Sequence, residues 1–325
     1  MKPTGNFPRT LAIAKAVQLL LSLLFLAACS GQKTPEKPQK QSNPVFSGVE
    51  IPVLLASPEA QAKYLAVHYW DRFNFSDTTG AWRTRETEEV FAAYLHVLRN
   101  SPGAEAGQGI RSMLQRSLDA DTAKFNWFTK RYDQCLNDPN SPFRNEELYI
   151  HVLEFITTSG KIDPIQKVRP AYQLRMALKN RVGTVAADFS FTDRSGLKRH
   201  LSGFHSKYTL LCFYNPGCHA CGELKKQMAS SPVLNSLLKV PGSLTILLIF
   251  PEPDAEAWNK EVSNQDLSSG FITGYDHDNS IMSKELYDVR AIPTLYLLGR
   301  DKTVILKDAS LEQIGFSLNM PASRR

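Results

Sequence analysis

Two cysteines separated by two residues, in Cys218-His219-Ala220-Cys221, are the side chains best placed to do chemistry in this 325-residue chain. They follow an apolar run, Tyr208 to Tyr214, and open a helix-like one, Gly222 to Met228. At a helix start such a pair can close a small disulfide ring, and the first free amides and the helix dipole stabilise a thiolate on the first sulfur. Cys218 is then the expected nucleophile and Cys221 the thiol that resolves a mixed disulfide. A zinc half-site would need two more ligands at comparable spacing, and no second Cys-x-x-Cys or Cys-x-x-His occurs. A purely structural disulfide gains little, because closing so short a loop removes little entropy. A charged imidazole at His219 would lower the Cys218 pKa and make the disulfide more oxidising, whereas a solvent-facing ring would have little influence. Lys225 and Lys226, one turn further on, read as a solvated helix face.

The elements that must hold this pair begin near Val182, where the pattern turns to strands alternating with helices. Asp188 to Thr192 and Leu197 to Leu201 flank the turn Asp193-Arg194-Ser195-Gly196 and predict a hairpin. Tyr208 to Tyr214 and Leu244 to Phe250 are continuous apolar runs, as strands covered on both faces require. Thr294 to Leu298 and Val304 to Lys307 predict a second hairpin around Gly299-Arg300-Asp301-Lys302. Amphipathic segments lie at Glu223 to Met228, Val233 to Leu238, Ala255 to Val262 and Ile281 to Tyr287. The expected class is α/β: a mixed central sheet flanked by helices, preceded by an all-α domain.

That all-α domain is expected over 46–180, with the α/β domain over 181–325. Its apolar residues recur at helical spacing, as in Phe91, Tyr94, Leu95 and Leu98, or Ile110, Met113, Leu114 and Leu118. Ser57-Pro58-Glu59 reads as an N-cap, a first-position proline and a dipole-matched acid. Nothing in this half assembles a catalytic site. His68, His96 and His151 stand alone, Cys135 lies on an apolar stripe, and Tyr69, Trp70, Phe73, Phe75 and Trp82 read as core. Asp276-His277-Asp278 reads as a surface loop, since three adjacent side chains rarely converge on one metal. No metal or other cofactor is implied, and no phosphate-binding glycine loop or nucleophile elbow is present.

At the N-terminus, Lys2, Arg9 and Lys15 precede the apolar run Ala16 to Leu26, which is too short for a stable membrane span. A basic region, a short apolar core and small residues describe a secretory signal over 1–28. Leu26-Ala27-Ala28-Cys29 resembles the bacterial lipobox, which implies that Cys29 is acylated and becomes the first mature residue. Multiple acyl chains would give durable membrane attachment. The stretch Ser30 to Pro44 has no large apolar residue, so 29–45 is expected to be a lipidated, solvated tether. Removing the signal, with its three basic and no acidic residues, lowers the net charge from +6 to +3. That is too mild to argue for nucleic acid.

Phe213-Tyr214-Asn215-Pro216-Gly217-Cys218-His219-Ala220-Cys221 resembles the active-site segment of thioredoxin-fold proteins, and Tyr287-Asp288-Val289-Arg290-Ala291-Ile292-Pro293-Thr294-Leu295 resembles the same family's cis-proline segment. Val185-Ala186-Ala187-Asp188-Phe189 with the Asp193 to Gly196 turn is similar to the membrane-tethered, cytochrome-maturation-like and peroxiredoxin-like branch, with Ala187 where proline is usual. The helical half is similar to an uncharacterised domain that precedes thioredoxin-like modules in Gram-negative lipoproteins. The resemblance implies that Pro293 is cis and lies against the Cys218 sulfur, and that the backbone of Ile292 pairs with an extended substrate segment. It also implies a buried acid six residues before the first cysteine, but Cys212 stands there, so deprotonation of Cys221 needs water or another group.

The function expected is a lipid-anchored thiol-disulfide oxidoreductase of the bacterial cell envelope, facing the periplasm. Its partners would be extracytoplasmic protein thiols or disulfides, a redox partner protein, and the membrane through Cys29. Alternatives are a binding lipoprotein that uses the fold as scaffold, and a thiol peroxidase, which would need threonine where Asn215 stands.

Overall fold

The computed structural model describes residues 46, 48–80, 82–263 and 270–319. The signal, Cys29 and the tether lie outside the described residues, and Val45–Arg325 forms one compact unit. Among the described residues, no helix is long and apolar enough to cross a membrane.

Among the described residues, six α-helices come first: α1 (Pro58–His68), α2 (Arg85–Arg99), α3 (Gly103–Ala120), α4 (Thr122–Tyr132), α5 (Glu146–Thr158) and α6 (Pro164–Ala177). Caps set their starts, because first-turn amides lack partners within the helix. Ser57 accepts from the Ala60 amide at 3.1 Å, and Asn145 accepts from Leu148 at 3.1 Å. The stripes read from the sequence converge on one core of Trp70, Phe91, Tyr94, Met113, Phe128 and Tyr132. Phe73, Phe75 and Trp82 are buried with them, so the aromatic group is core.

The second part contains β1 (Ser190–Asp193), β2 (Lys198–His200), β3 (Tyr208–Phe213), α7 (His219–Ser230), α8 (Pro232–Leu238), β4 (Leu244–Phe250) and α9 (Ala255–Ser263). It continues with β5 (Phe271–Tyr275), α10 (Ser280–Ser283), β6 (Thr294–Gly299), β7 (Val304–Lys307) and α11 (Leu311–Asn319). The seven-stranded sheet has the order β2-β1-β5-β4-β3-β6-β7. Parallel pairing joins β3 to β4 and β4 to β5, while β6 runs antiparallel to β3. This is the mixed sheet of a thioredoxin fold. Alternation along each central strand splits the core in two. Leu210, Cys212, Ile246, Leu248, Leu295 and Leu297 face one layer, and Leu211, Phe213, Leu247, Ile249, Tyr296 and Leu298 the other. Both hairpins form where expected.

Several elements depart from expectation, among them β5, α10 and the unforeseen helix α11. No strand was expected at β5, because Phe271-Ile272-Thr273-Gly274-Tyr275 is short and interrupted by glycine. Gly274 is there for proximity: a Cβ would lie 2.3 Å from the Phe191 ring and 2.8 Å from the Thr192 carbonyl oxygen on β1. The amphipathic segment expected over Ile281 to Tyr287 is a single helical turn, α10, ended by Glu285 in the left-handed region at φ 49°.

Candidate functional site

β3 delivers the chain to the dithiol, and the α7 N-terminus holds it. Cys218 is the N-cap of α7, its sulfur accepts from the Cys221 amide at 3.2 Å, and its carbonyl accepts from Gly222 at 3.0 Å. The two cysteines are bridged, with Cα atoms 5.2 Å apart. They differ in access: Cys218 is half-buried and Cys221 only 1% exposed. Cys218, the expected nucleophile, is therefore reachable and sits at the positive end of the helix dipole, while Cys221 is sealed one turn into the helix.

The Ile292-Pro293 peptide bond is cis. Ile292 packs at the margin of the same apolar layer as Cys218, together with Leu306 and Ala309. Pro293, Leu306 and Ala309 continue into a cleft of about 790 Å³, whose opposite side is formed by Arg99, Pro142 and Arg144 from the helical part. Arg144 pairs with Asp308 across it. The stretch from Pro139 to Asn145, which joins two helices, thus walls a groove leading from the cis proline. Its one advance signal was its length and proline content.

Around α7 lie charges that sequence reasoning missed or misplaced. Lys225 is buried, not solvated, and pairs with Glu261 of α9; Lys226 is exposed and pairs with Glu223. Glu261 also accepts from the Gly217 amide at 3.0 Å, immediately before Cys218. The Lys225 ammonium sits 3.7 Å from the centre of the Tyr214 ring. Spacing could have flagged Lys225, since it is four residues after the buried Cys221 and so shares its face. Glu261 had no such signal. Burial pushes the Cys212 thiol up to about 12, against the pull of the Lys225 charge, so this strand cysteine is an inert hydrophobe beside the pair. His219 is exposed.

The residues set aside as non-catalytic are accounted for locally. Asp276 is fully buried rather than at the surface, and accepts from the Ile281 amide at 2.6 Å and the Ser280 hydroxyl at 3.2 Å. Asp278 pairs instead with Lys198, and His277 with Tyr275, so the triplet diverges. Among the described residues, no group of three or more His, Cys, Asp or Glu side chains is arranged to hold a metal. Cys135 is half-buried, which raises its pKa.

Against solved structures, the chain is similar to a thioredoxin-like protein from Bacteroides caccae. Identity is 39%, the TM-score is 0.79, and the match covers 85% of this chain and 99% of that one. The chain belongs to the thioredoxin-like proteins. This thioredoxin-like chain is also similar to the C-terminal domain of an uncharacterized protein from Bacteroides fragilis, at 43% identity over 43% of this chain and 99% of that one, with a TM-score of 0.41. The thioredoxin domain of a thiol-disulfide oxidoreductase from Bacteroides vulgatus is 20% identical over 42% of this chain and 95% of that one, with a TM-score of 0.37. Residues 28–180 match the family model described as a domain of unknown function, DUF5106. No curated protein matches the chain.

Proposed function

We propose that this thioredoxin-like protein is a membrane-anchored thiol-disulfide oxidoreductase that exchanges the Cys218–Cys221 disulfide and dithiol with extracytoplasmic protein substrates. One observation carries the reading: a half-exposed Cys218 sulfur caps a helix and accepts its amide, while its bridged partner Cys221 is buried behind it. In the reductive direction the Cys218 thiolate attacks a substrate disulfide and releases one thiolate; Cys221 then displaces the second as it closes the ring. Run backward, a substrate thiolate attacks the oxidised pair. An extended substrate segment lies along the Ile292-Pro293 backbone, whose pairing is indifferent to side chains. The helical wall of the adjoining cleft then selects among protein partners. Acylated Cys29 ties the chain to a membrane of the bacterial envelope, on its periplasmic side.

A soluble chain starting after Cys29, equilibrated in thiol buffers, tests the chemistry. A potential near about −270 mV marks a reductase fed with electrons from elsewhere, and one at about −120 to −180 mV an oxidase or isomerase. Cys221→Ser should accumulate mixed disulfides with envelope proteins through Cys218, and Cys218→Ser should form none. Absence of any reversible couple would sink the proposal and leave a binding scaffold.

A further inference from the structure

The Lys225–Glu261 pair is a buried charge pair that the exchange steps above leave without a part. The two side chains are 10% and 15% exposed. Replacing such a pair with apolar residues would avoid its desolvation cost, so its location calls for a reason. That location is the cysteine helix itself. Lys225 shares the buried face of α7 with Cys221, one turn on, and its ammonium donates to Glu261 Oε1. Glu261 Oε2 accepts from the Gly217 amide at 3.0 Å, which fastens the carboxylate to the backbone just before Cys218. Cys212 and Tyr214, which pack against the same layer, bring no carboxylate of their own.

We propose that Lys225 and Glu261 are positioning residues that set the reduction potential of the Cys218–Cys221 couple, the ammonium favouring and the carboxylate opposing the thiolate of the reduced pair. This rests on the thiol-disulfide reading above. A reduced pair, one thiolate and one thiol, passes two electrons to a substrate disulfide. The products are the Cys218–Cys221 bond, one substrate thiolate and one substrate thiol, which takes the Cys221 proton. The reactant pair carries a negative charge that its disulfide lacks, so a nearby cation stabilises the dithiol form and makes the couple more oxidising, and a nearby anion does the reverse. Inside the protein these effects are larger than in water. The exposed Glu223–Lys226 pair near the site is screened.

The test is redox equilibration of the full chain with glutathione, with folding followed by circular dichroism. Lys225→Met should move the equilibrium about tenfold toward the disulfide, about 30 mV more reducing for a two-electron couple. Glu261→Gln, nearly isosteric, should move it in the opposite direction, and Lys225→Arg should keep the wild-type value. The proposal is overturned if folded Lys225→Met or Glu261→Gln leaves the equilibrium unchanged, or if both shift it the same way. Should both variants fail to fold, the wild type still decides. Raising salt from about 0.01 M to about 1 M shortens the screening length from about 30 Å to about 3 Å. A potential set by the buried pair stays constant through that change, whereas one that follows the salt is set by exposed charges and overturns the proposal. A wild type with no reversible couple fails the functional reading itself; a wild type that cycles while its variants do not differ fails only this inference.

Discussion

Among the free thiols, Cys212 shows how position decides reactivity. It lies close in sequence to Cys218, yet it is 1% exposed on a central strand, and burial pushes its pKa up to about 12. After reduction at pH 8, iodoacetamide should label Cys218 quickly and leave Cys212 untouched until denaturant is added. Mass spectrometry that found native Cys212 alkylated as fast as Cys218 would contradict the packing described. The reading of Cys218-His219-Ala220-Cys221 as a dithiol at a helix start needed only spacing and flanking pattern. The fate of the charges around it did not follow from sequence: Lys225 and Lys226 are neighbours of one type, and only the phase of α7 turns one inward.

At the scale of elements, the β1–β2 hairpin depends on Asp193. Burial would push its carboxyl up, but the Ser195 and Arg199 side chains and the Leu197 and Ser195 amides outweigh this and hold it at about 2. Its Oδ1 accepts from the Ser195 amide at 2.8 Å, the Ser195 hydroxyl at 2.6 Å and the Leu197 amide at 3.1 Å. The folded value lies below the unfolded one of about 3.9, so this stabilisation is complete above that range and is lost as pH falls toward 2. Asp193→Ala should therefore cost about 2 kcal/mol in denaturant unfolding at pH 6, with the gap from wild type closing as the pH approaches 2. A gap independent of pH would show that the carboxylate charge is not what holds the turn. The turn residues Asp193 to Gly196 announced this hairpin, whereas β5 was hidden because its glycine answers to Phe191 on another strand.

Across the whole molecule, the helices and the sheet are joined by polar contacts. Lys307, whose side chain is 6% exposed, donates to the Ala177 carbonyl at 3.0 Å and the Lys179 carbonyl at 2.7 Å, and pairs with Glu146 at 2.6 Å. Asn180 donates to the Leu286 carbonyl and accepts from the Ala187 amide, both at 2.8 Å. These bonds couple the two parts, so the wild type should melt in one transition. Lys307→Met leaves the Glu146 carboxylate, 30% exposed, without its cation, a loss of about 1 to 3 kcal/mol. Calorimetry should then resolve two transitions. Exchange with protein disulfides should slow while reduction of a small disulfide persists, because the helical wall of the cleft is loosened and the dithiol is not. One intact transition, with both rates unchanged, would remove Lys307 from this role.

The sequence by itself determined what rests on local period and local chemistry: the helical stripes, the doubly covered strands, the hairpin turns, the Cys218/Cys221 spacing and the Ile292-Pro293 segment. These are legible because a residue's neighbours along the chain fix helical or pleated phase. Only the tertiary structure decided which charges meet the site. Glu261 reaches the Gly217 amide from 44 residues away, and Arg144 meets Asp308 across 164. Such partners are chosen by how helices pack on a sheet, a long-range outcome that leaves no periodic trace in either segment.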